Sequence, residues 1–320
     1  MEAFDRRFAL LFPGQGAQFV GMGADLYRES PEAREVFERA DEVLGLPLTR
    51  LCFEGPADEL DDTSIAQPAI FTVTYALWRA FVARFRHDIP RIGLVAGHSL
   101  GEFSALAVAG ALRFEDGLRL VRRRGEAMRD SGARVPGGMA AILGLSEQAV
   151  SDVVAQAADG GGVWIANLNC PGQVVVAGQR EALQRALDLA LQRGAKRAWP
   201  LSVSVACHTP CMAAAADRLN ETLQNTEIAR PLAPVVCNAT AQPTSDPALL
   251  RANLLRQLTS PVRWEESVRR MAEAGVLVTL ELGPKAVVSA LVRRIDARVA
   301  AYSVTSAAEI ASFQSEVLVR

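Results

Sequence analysis

The chain has 320 residues, 50% of them hydrophobic and 22% charged, which excludes disordered and fibrous classes and leaves room for one large core plus a smaller unit. A formal net charge of −2 gives no reason to expect nucleic acid or an anionic membrane as the main partner. No apolar run approaches a membrane span, and the start MEAFDRR followed by FALLF is too short for a signal-peptide core.

In chain order, the first predicted element is the apolar run Phe8 to Phe12, a buried strand that enters the glycine-rich turn Pro13-Gly14-Gln15-Gly16. A helix is expected from about Ser30. Leu94-Val95-Ala96, the turn GHSLG and a helix from Glu102 to Ala109 repeat the strand–turn–helix plan. That alternation predicts a mainly parallel sheet covered by helices, with ligands at the carboxyl ends of strands. From about Gly137 the order becomes strand, helix, strand, strand, helix, strand, the last strand running Arg197 to Val203. This β-α-β-β-α-β order is that of a ferredoxin-like unit. Longer helices and buried strands resume after about Ser204, so the unit reads as an insertion at residues 137–204 into a domain made of 1–136 and 205–320. The cleft between them is the expected ligand site.

Gly97-His98-Ser99-Leu100-Gly101 is a G-x-S-x-G pattern, which places a serine on a sharp turn between strand and helix. An exposed hydroxyl there is a candidate nucleophile, and the next backbone N–H can face an oxyanion. The hydroxyl needs a base, and the chain has three histidines. His87 lies in a polar segment and reads as a loop residue. His98 adjoins the serine, where neighbouring side chains point apart, so it is expected to brace the turn. His208 ends an extended run and is the candidate base, against the plainer reading of a satisfied core histidine. No acid near it announces a third triad member, so a distant carboxylate or a backbone carbonyl must orient the ring.

The helical segment from Phe114 to Arg129 has its apolar stripe at Gly117, Leu120, Val121, Gly125 and Met128, and Arg124 falls on that stripe. An inward guanidinium must meet an anion, either a buried Asp or Glu or a substrate carboxylate. Spacing alone leaves both open. The five cysteines are odd in number and spread out, which fits free thiols in a reducing compartment and a cytoplasmic enzyme. Cys207 and Cys211 flank His208, but no second pair supports a metal site.

These motifs together resemble the malonyl-CoA:acyl carrier protein transacylases and the acyltransferase domains of polyketide and fatty acid synthases. The match runs from PGQGAQ at 13–18 through QPA at 67–69, GHSLGE at 97–102, RG at 124–125, NLNCPGQVV at 167–175, SVSVACH at 202–208 and RQL at 256–258 to ELGP at 281–284. The resemblance implies an α/β-hydrolase-like large domain with a parallel sheet and an inserted ferredoxin-like subdomain. It implies Ser99 as the acyl-accepting nucleophile, His208 as its base and Gln257 as the residue whose carbonyl holds the histidine. Gln15 and Leu100 would supply the oxyanion N–H groups, and Arg124 would clamp a malonyl carboxylate. The implied partners are malonyl-CoA and an acyl carrier protein, with no cofactor or metal beyond the coenzyme A thioester that serves as substrate. Val205-Ala206-Cys207-His208 matches neither of the tetrapeptides that separate malonyl from methylmalonyl selectors in modular synthases; leucine after the serine favours malonyl. The competing reading is a serine acyl hydrolase, including a patatin-like one that would use Asp159 of Asp159-Gly160-Gly161. A non-catalytic scaffold would leave an inward arginine opposite an exposed serine without a use.

Overall fold

The computed structural model describes residues 8–86, 88–158 and 162–318. His87 and Asp159-Gly160-Gly161, read above as loop and turn, lie outside the described residues.

Two sheets organise the chain. The larger contains β1 (Phe8–Phe12), β2 (Leu94–Gly97), β7 (Val235–Val236), β8 (Pro243–Thr244), β9 (Val278–Leu282) and β10 (Ala300–Val304), in the order β10-β9-β1-β2-β7-β8. All neighbours are parallel except β7 and β8. β1 shows why its sequence is uniformly apolar. Phe8, Leu10 and Phe12 pack toward the helices Thr63–Phe85 and Phe114–Arg134, while Ala9 and Leu11 pack toward Trp264–Glu273 and Val288–Ile295. A strand with period-two side chains and helices on both faces has no solvent side.

The smaller sheet has β3 (Gly137–Leu143), β4 (Val163–Cys170), β5 (Gln173–Gln179) and β6 (Arg197–Pro200), in the antiparallel order β4-β5-β3-β6. Helices Glu147–Ala157 and Arg180–Gln192 cover one face, enclosing Ala140, Ile142, Val174 and Val176. The alternate residues Met139, Ala141, Val175 and Ala177 face the other way and join the core of the large unit. Both faces of this sheet are therefore buried, one by its own helices and one by the partner unit. Its edge is stitched down as well, since Leu168 donates its N–H to the Val262 carbonyl at 2.9 Å and Val262 donates back to Ala166 at 2.9 Å.

The architecture is the expected mixed α/β fold, with one difference in extent. The last small strand stops at Pro200, three residues before the predicted end at Val203. Pro200 has no N–H to give the ladder, and beyond Leu201, which still donates to Met139, the chain leaves the sheet toward His208.

Candidate active site

β2 ends at Gly97, and the helix Gly101–Val108 begins four residues later. The turn between them holds Ser99 at φ 51°, left-handed backbone that costs an L-residue roughly 1–2 kcal/mol. The turn can be this tight because two glycines leave space. A Cβ on Gly97 would collide with the Gly101 backbone, and one on Gly101 with the Phe12 carbonyl. Asn238, just past β7, closes the turn from the far side. Its Oδ1 accepts the Ser99 N–H at 2.6 Å and its Nδ2 donates to the Gly97 carbonyl at 2.7 Å.

The Ser99 hydroxyl stands 2.8 Å from His208 Nε2. On the other side of the ring, Nδ1 lies 2.8 Å from the Gln257 main-chain oxygen. A carbonyl can only accept, so Nδ1 carries the proton and the lone pair on Nε2 faces the serine. The Gln257 carbonyl is available for a reason legible in the sequence. It lies in the last turn of the helix Pro247–Thr259, whose final carbonyls have no intrahelical donor, and the helix ends there because Ser260, the residue before Pro261, is extended at φ −129° and ψ 152°. His208 itself sits at φ 60° and is 3% exposed. Burial, reinforced by the Arg124 charge, holds its pKa down at about 3, so the ring is neutral across the physiological range.

Arg124 lies on the inward stripe of the helix Phe114–Arg134 and is 1% exposed. Among the described residues no carboxylate pairs with it. Its Nη1 donates to Gln67 Oε1 at 2.8 Å, and its Nη2 donates to Gln257 Oε1 at 2.9 Å and to Ser99 Oγ at 3.1 Å. The Phe103 ring lies 5.6 Å from the guanidinium carbon. The Nε–H is buried with no acceptor among the described residues. Burial lowers its pKa to about 10, which still leaves the group charged at neutral pH. Three of its five N–H donors are thus met, all by neutral oxygens, which leaves a buried cation with donors to spare. The buried Asp or Glu that the sequence left open as partner is not in contact with it.

The remaining predicted residues gather around the same point. Gln15 and Leu100 follow the carboxyl ends of β1 and β2, and neither backbone N–H meets an acceptor among the described residues. Gln15 Nε2 donates to Thr63 Oγ1 at 3.1 Å, which holds its turn. A cleft of roughly 230 Å³ opens over Ser99 between the two units, walled by Met128 and Arg124 on one side and Met139, Gln173 and Val175 on the other. His98 reaches beyond the turn it was expected to brace. Its Nε2 bonds Asn169 Oδ1 at 2.9 Å, tying the elbow to β4 of the small sheet. All five cysteines are free, and among the described residues no three His, Cys, Asp or Glu side chains cluster as a metal would require.

Four polar residues in this site had no role in the sequence reading: Gln67, Glu102, Asn169 and Asn238. Glu102 is 1% exposed, and its Oε2 accepts from Gln257 Nε2 at 2.7 Å and from the Asn238 N–H at 3.1 Å. Burial raises its carboxyl to about 7 against the pull of those bonds. A charged residue in the helix GEFSALAV, where only Ser104 is otherwise polar, was the available signal. Asn238 follows the short parallel strand β7, again a position where sites form. Gln67 precedes Pro68 inside the helix Thr63–Phe85, and the missing Pro68 N–H leaves the Ser64 carbonyl free, which Arg122 Nη1 takes at 2.9 Å.

Comparison with known proteins is consistent over nearly the whole chain. The family model described as the acyl transferase domain matches residues 9–314. The malonyl CoA-acyl carrier protein transacylase of Haemophilus influenzae is 43% identical over 310 residues, covering 97% of this chain and 98% of that protein. The crystal structure of the acyl-carrier-protein-S-malonyltransferase from Bartonella henselae superposes with a TM-score of 0.94 at 38% identity, covering 98% of this chain and all of that one. A structure of a type II polyketide synthase acyl-carrier protein in complex with its malonyl-transacylase matches with a TM-score of 0.92 at 40% identity, covering 96% and 98%.

Proposed function

The chain belongs to the acyl transferase domain family, and from that premise we propose that it moves a malonyl group from malonyl-CoA to the phosphopantetheine thiol of an acyl carrier protein. The observation that carries the choice of acyl group is Arg124, a buried guanidinium without a carboxylate partner whose Nη2 lies 3.1 Å from the Ser99 hydroxyl.

The reaction is read as two half-reactions on Ser99. His208 Nε2 takes the hydroxyl proton as the oxygen attacks the thioester carbon of malonyl-CoA. The tetrahedral oxyanion is received by the free N–H groups of Gln15 and Leu100, donors of a kind worth about 2.7–4 kcal/mol each. The carbon–sulfur bond breaks, and coenzyme A leaves as a thiol with the proton from His208. The carrier thiol then gives its proton to His208 and attacks the Ser99 ester, and Ser99 regains its proton as malonyl thioester departs. Gln257 orients the ring through its carbonyl throughout. A malonyl carboxylate on Arg124 neutralises the positive charge that helps hold the His208 pKa low, so the substrate itself strengthens the base. The reaction so read needs no cofactor or metal and takes place in the cytoplasm. Its catalytic unit is 1–136 with 205–320, and residues 137–204 are the inserted unit that closes the cleft.

The test is intact-mass analysis after mixing with malonyl-CoA. Ser99 gains a malonyl group that is discharged onto holo carrier protein, and His208→Ala slows the gain by roughly 10²–10⁴-fold. Release of free malonate at a rate indifferent to carrier protein makes the enzyme a hydrolase instead.

A further inference from the structure

Glu102 is a buried carboxylate that takes no part in the two half-reactions. Burial penalises its charged form, and it does not touch Arg124, the nearby cation, directly. Its contacts run to Gln257, Asn238 and the Cys237 thiol.

We propose that Glu102 is a positioning residue for the Arg124 clamp and acts by fixing which way the Gln257 side-chain amide faces. Gln257 Nε2 meets two acceptors, Glu102 Oε2 at 2.7 Å and the Ser99 carbonyl at 3.0 Å. Its Oε1 is thereby turned to Arg124 Nη2 at 2.9 Å. With Glu102 ionised, the reversed amide would set an NH₂ group against a guanidinium that has only donors, and an oxygen against two oxygens. Glu102 thus supplies one of three contacts that oppose the reversal, beside the Ser99 carbonyl and Arg124 Nη2. Without it the Ser99 carbonyl alone holds Nε2, and Nη2 rests on the nucleophile's own oxygen.

Holding the acid one amide away from the cation has a second effect. A carboxylate paired directly with Arg124 would occupy the guanidinium edge that a substrate must use. Through Gln257, the acid orients the guanidinium and leaves Nε unoccupied. The consequence falls on binding of a carboxylate substrate. His208 is insulated from it, because the ring bonds the main-chain oxygen of Gln257.

The inference rests on the reading that Arg124 takes the malonyl carboxylate. It is tested by Ser99 acylation kinetics with malonyl-CoA for wild type, Glu102→Met, Glu102→Gln, Gln257→Met, Arg124→Ala and the Glu102→Met/Arg124→Ala double variant. Glu102→Met fills the space without an acceptor and is expected to raise KM about tenfold or more while the saturated rate changes no more than about threefold. Glu102→Gln retains an acceptor oxygen and recovers KM to within about threefold of wild type. Gln257→Met raises KM as Glu102→Met does, and it decides the matter with Glu102→Gln if Glu102→Met does not fold. In the Arg124→Ala background, Glu102→Met changes kcat/KM by less than about twofold, because the residue it acts through is gone. Equal losses in both backgrounds, a Glu102→Gln enzyme as impaired as Glu102→Met, or a Gln257→Met enzyme with wild-type KM each overturn the proposal. Failure of the underlying reading looks different: wild type gains no malonyl group, or Arg124→Ala alone leaves KM unchanged.

Discussion

Replacing Arg124 by alanine removes one member of the pair that the proposed function sets between the guanidinium and the malonyl carboxylate. Truncating one partner of a buried, hydrogen-bonded charge pair costs about 2–5 kcal/mol. That is a loss of about 30-fold to several thousand-fold in binding. The upper half of the range applies here, since Arg124 is 1% exposed and a carboxylate beside it would be desolvated too. The variant also strips Gln67 Oε1 and Gln257 Oε1 of their donors, at about 1–3 kcal/mol each where water does not replace them. Relief of a buried cation offsets part of that, so the protein still folds. An acetyl thioester offers no carboxylate and loses nothing at this position. It gains from a more basic His208, because the neighbouring positive charge is gone. The assay is competitive acylation of Ser99 by equimolar malonyl-CoA and acetyl-CoA, read by intact mass. The malonyl-to-acetyl ratio of kcat/KM is expected to fall at least about 300-fold. Loss of both activities by the same factor would refute the clamp and reduce Arg124 to a structural cation.

Asn238→Ala leaves the strained Ser99 N–H and the Gly97 carbonyl unpaired; urea denaturation should show a loss of about 1–3 kcal/mol, with slower acylation. Two buried groups pull stability in opposite directions with pH. His208, depressed to about 3 from 6.5, favours the fold above 6.5 and withdraws that support as pH falls toward 3. Glu102, raised to about 7 from 4.5, favours the fold below 4.5 and withdraws support as pH rises through 7. Melting temperatures of Glu102→Gln should therefore gain on wild type between pH 5 and 7.5; an unchanged difference would show that Glu102 titrates normally. Gly97→Ala should give insoluble protein through collision with the Gly101 backbone. Gly45→Ala, at a helix C-cap with φ 63° and open space, should cost only about 1–2 kcal/mol in the same expression and melting comparison.

The sequence was most readable where one physical demand acts on one stretch of chain. β1 had to be apolar on both faces, the elbow needed glycines on either side of Ser99, and Arg124 stood out because a cation replaced an apolar residue at helical spacing. Residue types also marked His208, since three histidines left few choices. What stayed hidden was pairing across distance. Asn238 is 139 residues from the amide it accepts from, and Glu102 is 155 from the Gln257 amide it fixes. Nothing local to either residue says which group it will meet. Gln257 is intermediate: its main-chain oxygen is free because the helix stops before Pro261, which is visible in the sequence once the helix is placed. The premature end of β6 follows the same rule, since Pro200 silently removes a ladder bond.

The group that orients His208 belongs to the peptide backbone, and this sets the enzyme apart from hydrolases that use a carboxylate there. Every amino acid at position 257 brings the same oxygen, so no codon change can delete it, and a loss seen in a scan of that position reports the side-chain amide and not the carbonyl. Nor can acid neutralise it, as it would an aspartate. The corresponding liability lies at position 261: proline there keeps Ser260 extended, and a residue that let Ser260 turn helical would prolong the helix and bring an N–H onto that oxygen in place of the His208 ring.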